Sequence, residues 1–564
     1  MTNSFAIKCG LSLRSVFGVL LLLCLHPALA QTDPKADDKL KLTGTAGADL
    51  GLYNMSPGYL ARGKNLSWTA YADLNLQWKQ IQVPFSFIVS EQQRNFRQSF
   101  NHLGIAPTWR WIKLYAGYSN MTFSSTTLAS ATFLGAGVEM NPGHFRFGAM
   151  YGQLYKAVPE NTDPTLSVTP SFRRIGYGFK IGVGKTDRYV DLIYFKAKDD
   201  SASIPPLKSD FSITPQENVI LGINVHQKFS KKISWDLEGS TSVITRDTRA
   251  SDSLDNTGAY SVVRPLININ ITTNLNFALK TSLSYTSKYV TLKGGFAHID
   301  PHYTSLGAYF FRDDLQKIFL SPTFRLKKNK VLMALQTYQQ HDNLTHSKRY
   351  TNNMLSAEAT LSVTATRRLS IDLPMGIFDN YQTRGTEALN DTTRISMVNR
   401  HAGLSPRYTL DTKTAQHTVL LMLMFQETKD HNAFTRDYTE NFVSNNNLTY
   451  SYTQINSQLN LTGSLEFGKS TNHYLQTSYY GISGGVSYPF LKKLLETSGL
   501  LAYRLQSFST GNGAGTLLLD LDASYKYRVK HRFGLHFDFT HQTSASSVAG
   551  FTEVKTKISY AYKF

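Results

Sequence analysis

His298, Asp300 and His302 are the residues whose types and spacing come nearest to a metal site. Alternate side chains of an extended chain share a face, so two imidazoles and a carboxylate at that spacing could close on one divalent ion. Pro301 among them signals a loop, and loop histidines are commonly just solvated, so the set is a candidate and no metal is assigned. Both cysteines, Cys9 and Cys24, lie in the first 30 residues. Disulfides, thiolate metal sites and cysteine nucleophiles are thereby excluded from the rest of the chain. Gly511 to Gly515 lacks the Lys-Ser/Thr of a phosphate-binding loop and reads as a hairpin loop. Serines and histidines are plentiful, but an acid, a base and a nucleophile drawn from separate strands leave no signature in spacing. No catalytic residue and no cofactor is assigned, and the chain is read as non-enzymatic.

The elements that would position any site are strands. From Leu66 to Trp78, Leu66, Trp68, Ala70, Ala72, Leu74, Leu76 and Trp78 fall on one face, with Ser67, Thr69, Tyr71, Asp73, Asn75 and Gln77 on the other. That is strict period two over a length few soluble strands reach. Tilted near 40°, the two tryptophans stand roughly 25 Å apart along a membrane normal, the height of a barrel's apolar band. The pattern recurs from Leu40 to Leu52, from Leu517 to Val529 and from Phe533 to Thr540. No stretch after the first 30 residues is pooled enough to be a membrane-spanning helix.

The chain ends on the same pattern, with Val554, Thr556, Ile558, Tyr560, Tyr562 and Phe564 on one face. An alternating last strand with a terminal Phe resembles the closing strand of Gram-negative outer-membrane β-barrel proteins. The resemblance implies that Tyr560, Tyr562 and Phe564 form an assembly signal read by the barrel-assembly machinery. The first 30 residues fit it. Lys8 and Arg14 precede an apolar stretch from Val16 to Leu25, and Pro27-Ala28-Leu29-Ala30 supplies a cleavage site. The expectation is a Sec leader cut after Ala30, a short periplasmic segment at 31–39 and a barrel over 40–564, in the outer membrane. Twelve short turns alternate with longer polar stretches, which gives an all-β, antiparallel transmembrane barrel of 22 to 26 strands. The turns near 287 and 454 are the least marked. No plug domain precedes the first strand, unlike TonB-dependent transporters.

The formal net charge is +19, and basic residues gather at the short turns, among them Lys79, Lys231, Lys232, Lys327, Lys328 and Lys492. They read as a basic collar that meets anionic headgroups or recruits an acidic partner, or as ordinary polar turns. Nucleic acid is not a partner for an exported barrel. Asp200-Ser201-Ala202, Asp252-Ser253-Leu254 and Asp391-Thr392-Thr393 look like the Asp-Ser/Thr-apolar sites of envelope O-glycosylation. One strand breaks the alternation: Leu420, Met422 and Met424 are apolar on the face expected to be wet. Sheets covered on both faces lose alternation in this way, so the trio marks a lumen contact with a loop or a partner protein. Two functions follow: a channel or export conduit with a narrowed lumen, or a non-conducting scaffold of an outer-membrane complex.

Overall fold

The structure is a computed structural model that describes residues 39–56, 63–91, 102–160, 169–207, 213–251, 259–308, 312–509, 511–544 and 549–564. The leader, both cysteines and the motif at Asp252 lie outside the described residues.

Twenty-six antiparallel strands run in sequence order. They begin with β1 (Lys41–Met55), β2 (Leu66–Trp78), β3 (Ile81–Ser90), β4 (His102–Ile105 and Thr108–Trp109), β5 (Ile112–Asn120), β6 (Thr132–Met140), β7 (Phe145–Tyr155), β8 (Arg173–Lys185) and β9 (Arg188–Asp200). There follow β10 (Glu217–Lys228), β11 (Ile233–Thr245), β12 (Thr273–Thr286), β13 (Val290–Ile299), β14 (Leu315–Leu326), β15 (Val331–His341), β16 (Tyr350–Thr364), β17 (Leu369–Arg384) and β18 (Ser396–Asp411). The last are β19 (Ala415–Asp430), β20 (Asn441–Gln454), β21 (Asn460–Thr471), β22 (Gln476–Phe490), β23 (Leu495–Phe508), β24 (Gly511–Tyr527), β25 (His531–Gln542) and β26 (Phe551–Lys563). Strand β4 is in two pieces because Pro107 has no N–H for the ladder. Its neighbours still bond through the break, Ala106 N–H to Pro84 O at 3.0 Å and Leu114 N–H to Pro107 O at 2.8 Å.

The sheet closes on itself. β1 pairs with β26 from Thr45↔Lys563 to Met55↔Glu553. Beyond the ladder the Phe564 amide donates to Gly44 O at 3.0 Å, and Tyr53 OH donates to Glu553 Oε1 at 2.9 Å. Closure leaves no edge, which is what a sheet in lipid requires. Side chains directly opposite in the ladder share a face, so the register sorts every strand into an outward and an inward row. The outward rows are apolar and exposed, as with Tyr177, Phe179, Ile181 and Val183 on β8. Val183 is 64 % exposed and Ile482 on β22 is 60 %, a belt that only lipid can cover. Trp68 and Trp78 stand on this face, and the rows read from sequence in β1, β2, β24, β25 and β26 point as expected.

Short turns gather at one end of the barrel, with the start of β1 and the end of β26. All twelve are present, including those near 287 and 454. The turn placed at Gly184-Lys185 lies two residues later, because Gly184 (φ 133°) stays in the ladder and donates its amide to His144 O at 2.7 Å. Several turns are held by basic residues in the left-handed region. Lys79, Arg110, Lys327, Lys328, Lys492 and Arg528 have φ between 47° and 57°. For a residue with a Cβ this costs on the order of 1–2 kcal/mol, which is why Gly and Asn usually hold such positions.

Long connections lie at the other end. One of them leaves the barrel outward: the short helix α1 (Ala259–Val263) and the chain to Ile269 cover Val219 and Val243 on the outer face of β10 and β11.

Candidate functional site: a half-filled lumen

Two other connections turn inward. The 121–131 loop joins β5 to β6, and residues 300–308 follow β13. Met121, Phe123, Leu128, Ala131 and Leu306 are buried against inward Met150, Leu154, Ile193, Phe195, Ala197, Ile220 and Ile244. Phe133, Phe195, Ile220, Ile244 and Leu128 have no exposed surface at all. At about 1.5–3 kcal/mol for each large apolar side chain fully buried, this packing holds the loops down. Small wall residues let the loops lie close. A Cβ at Gly222 would sit 2.9 Å from Thr127 Cγ2, and one at Gly307 would sit 2.6 Å from the Phe195 ring.

Hydrogen bonds fix the register of loop on wall. Tyr303 OH donates to Thr126 O at 2.8 Å, so its contact with Ser240 Oγ at 2.7 Å has the serine as donor. Burial pushes the Tyr303 phenol above its ordinary value and keeps it a donor. Asn218, fully buried, accepts the Leu306 amide at 3.1 Å and donates to Ser242 Oγ at 2.8 Å and Val243 O at 2.9 Å. Ser242 Oγ donates to Thr304 O at 2.6 Å, and the Ala129 amide donates to Gly307 O at 3.0 Å. The two loops therefore bind each other as well as the wall. Lys280 Nζ reaches Ser125 Oγ at 2.8 Å, and Ser125 Oγ in turn donates to Glu238 Oε2 at 2.5 Å.

The segment entering β14 is tied by charge. Asp314 accepts the amides of Asn343 and Leu344, both at 2.9 Å, and pairs with Lys348 at 2.5 Å. Burial alone would raise the Asp314 carboxyl, but Lys348 and the two amides together hold it below its ordinary value.

Among the described residues no loop packs on the opposite inner wall, from β18 round to β2, and its last strands are charged. Inward rows of β24, β25 and β26 bring together Asp520, Asp522, His536, Asp538, Lys555 and Lys557. His536 bridges Asp522 (Nδ1, 2.8 Å) and Asp538 (Nε2, 3.0 Å), and Lys557 pairs with Asp49 at 2.9 Å. Arg504 pairs with Glu466 at 2.5 Å. A recess of about 1310 Å³ runs along this wall, lined by Tyr71, Asp49, Glu496, Arg532, His536 and Lys557 among others. Asp520, His536 and Asp538 are the one group among the described residues whose ligand atoms come within 4.8 Å of one another. Both nitrogens of His536 are already turned to carboxylates, which fits a cationic bridge better than a ligand.

His298, Asp300 and His302 are not brought together as a set. His298 Nε2 meets Asp300 Oδ1 at 3.1 Å, and Asp300 Oδ2 accepts the Phe277 amide at 2.7 Å. His302, at φ 66°, donates its own amide to Asp313 Oδ2 at 2.6 Å. Leu420, Met422 and Met424 do face inward, opposite Thr449, Asn447 and Asn445. Met422 is 40 % exposed, and neither inward loop lies on that wall. Tyr560, Tyr562 and Phe564 face outward at the turn end, with the Tyr562 and Phe564 rings 4.8 Å apart. Of the glycan motifs, Ser201 and Thr392 are in exposed turns, where Thr392 Oγ1 donates to Asn390 Oδ1 at 2.6 Å.

No family model and no curated protein matches the chain. Among solved structures it is similar to the translocation pore of the P pilus usher PapC. The two are 12 % identical with a TM-score of 0.34, over 93 % of this chain and 99 % of that one. It is also similar to Pseudomonas aeruginosa OpdK with vanillate, 12 % identical with a TM-score of 0.31, over 67 % and 99 %. A third is a loop L8 deletion mutant of OmpT, an outer membrane protein of Vibrio cholerae, 11 % identical with a TM-score of 0.23, over 67 % and 100 %. Closure and the outer apolar belt decide the class. The chain is a closed, membrane-spanning β-barrel. Its lumen is partly filled along one wall by its own loops.

The two loops were not legible as inward from sequence. The signal was the apolar run Val219 to Leu221 and the inward Ile193, Phe195 and Ala197, a loss of alternation of the same kind as at Leu420.

Proposed function

We propose that the barrel is a channel or export conduit whose bore is narrowed by residues 121–131 and 300–308. The observation that carries this is the inward packing of both loops on β5–β13, with a polar, charged wall left facing them. A side-by-side pairing of both charge signs along that wall suits a polar or charged cargo, which exchanges its hydration for fixed carboxylates and cations. The alternative, a non-conducting scaffold, draws on the inward Leu420, Met422 and Met424, which a partner protein entering the lumen would cover. The protein reaches the membrane through a Sec leader cleaved after Ala30, and its last strand is the assembly signal. Deleting Phe564 is expected to lower the yield of heat-modifiable barrel, and unchanged yield would remove that role. The functional test is single-channel recording of the purified protein in planar bilayers. The parent is expected to conduct, and replacing residues 122–130 by a short Gly-Ser linker is expected to raise the conductance several-fold. Silence from both proteins would favour the scaffold.

A further inference from the structure

We propose that the ring of basic turns is a binding surface for the anionic phospholipid headgroups of the leaflet it faces. Ten of the twelve short turns carry a Lys or Arg in the turn or beside it, and only Asp187 and Asp411 bring an acid there. The charge is thus spread round the whole circumference. An annulus of lipid meets the barrel in that shape, whereas a folded protein partner would call for a patch on one side.

Depth is the second observation. Lys79 Nζ lies 5.4 Å from the Trp78 ring, Arg110 is 5.6 Å from Trp109, Lys288 is 5.5 Å from Tyr289 and Arg528 is 5.1 Å from Tyr527. Those four rings are exposed, and Trp78, Trp109 and Tyr527 close the outward apolar rows of their strands. Interfacial rings settle at headgroup level, so each cation leaning on its ring stands where a phosphate diester lies. The third observation is the backbone. Lys79, Arg110, Lys327, Lys328, Lys492 and Arg528 occupy left-handed positions that Gly or Asn would hold with less strain. Basic side chains at those positions are explained by what they bind. Ammonium and guanidinium donate charge-assisted hydrogen bonds to the phosphate oxygens, an attraction that salt screens.

Four of the five tryptophans, Trp78, Trp109, Trp111 and Trp235, are at the turn end, and Trp68 is at the other. The full chain with Trp68→Phe therefore reports on this interface. It is reconstituted in phosphatidylcholine vesicles containing brominated phosphatidylglycerol or, in parallel, brominated phosphatidylcholine, and tryptophan quenching is compared. Phosphatidylglycerol is expected to quench with several-fold preference at low salt, falling toward parity at high salt. Lys79→Asn, Arg110→Asn and Arg528→Asn with Lys288→Gln should cut the preference about twofold or more, and asparagine keeps those turns foldable. Removing loop-end charge by Arg249→Gln and Arg436→Gln should leave it. Equal quenching by the two lipids overturns the proposal and leaves the ring to an acidic soluble partner. A preference that the turn substitutions leave at the parent level overturns it as well.

Discussion

The wall from β5 to β13 and the wall from β18 round to β2 are built of the same alternating strands, and both turn an apolar row to lipid. Their inner rows differ where the two loops lie. On the first, Ile193, Phe195, Ile220 and Ile244 lie under two loops and are buried. On the second, Asp49, Asp520, Asp522, His536, Asp538 and Lys557 face open space. Alternation in a barrel therefore records what covers each face at each point. Where the loops cover the inner face, the inward row turns largely apolar; where water does, it keeps charges paired across strands.

Substitutions can break or sharpen this contrast. The largest effect belongs beneath the loops. Phe195→Ala is expected to weaken loop docking by about 3–5 kcal/mol, since a large cavity opens under Gly307. Hydrogen exchange at residues 121–131 and 303–308 should quicken and conductance should rise, while Thr540→Asp on the second wall should alter neither. Equal exchange rates in the two variants would erase the difference between the walls.

Next comes Asn218→Leu. It strands the Leu306 amide, at about 1–3 kcal/mol for a buried polar group left unpaired, and takes a donor from Ser242 Oγ, which keeps its bond to Thr304 O. The same exchange measurement should show the 303–308 amides loosening. Protection that stays at the parent level would mean that apolar packing alone seats the loop.

A smaller, tunable effect lies at the Asp314–Lys348 tie. The Asp314 carboxyl is held below its ordinary value in the folded state, so its contribution is present above the ordinary carboxylate range and is lost as pH falls through the depressed value. Lys348 is affected in the complementary sense. Burial opposes its charge, but Asp314 and Asp342 raise it, so its share is present below the ordinary lysine value and lost as pH rises through the raised one. Between roughly pH 5 and 10 both contributions are in place. Proteolytic nicking near residue 314 should be lowest within that window and increase on acidification. Asp314→Asn should flatten the acid side, and a profile that keeps its acid limb would assign it to other groups.

The smallest effect is expected at Met422. In the purified barrel Met422→Asp should shift stability by no more than about 0.5 kcal/mol, as for an exposed site. A gentle pull-down from native membranes is the complementary measurement. A protein that accompanies the parent but not Met422→Asp would identify a lumen partner and move that wall into the covered class.

Much of the barrel was legible in the sequence. Leu66 to Trp78 and Val554 to Phe564 announce their faces because lipid and water impose opposite demands on neighbouring residues, and twelve turns punctuate the strands. The inward loops were not legible as such. Met121, Phe123 and Leu128 are scattered through serines and threonines, and a loop's direction depends on a wall formed by strands far along the chain. Loss of alternation is the sign of a covered face, and it stands both at Leu420 to Met424, where the run is longest, and at Val219 to Leu221. Covering protein lies over both faces at the second: the inward loops meet Ile220, and the chain after α1 lies on Val219. The paired His298 and Asp300 were near in sequence, but Pro301 and the left-handed His302 carry the chain away from them.

The separation of contacts along the chain bears on the order in which the molecule is made. Tyr303 and Thr126 are 177 residues apart and Leu306 and Asn218 are 88, while the closing contact of Tyr53 with Glu553 spans 500. Joining distant segments costs more chain entropy, about 0.6 kcal/mol for each doubling of the span, and non-local pairings form late. The stopper is thus expected to form within a curved, unsealed ribbon, with the ring closing afterwards around a bore already partly occupied. Cysteine pairs placed at 126 and 303 should cross-link in early assembly intermediates, ahead of pairs at 53 and 553. On that timetable the envelope never faces the full width of an empty 26-stranded ring.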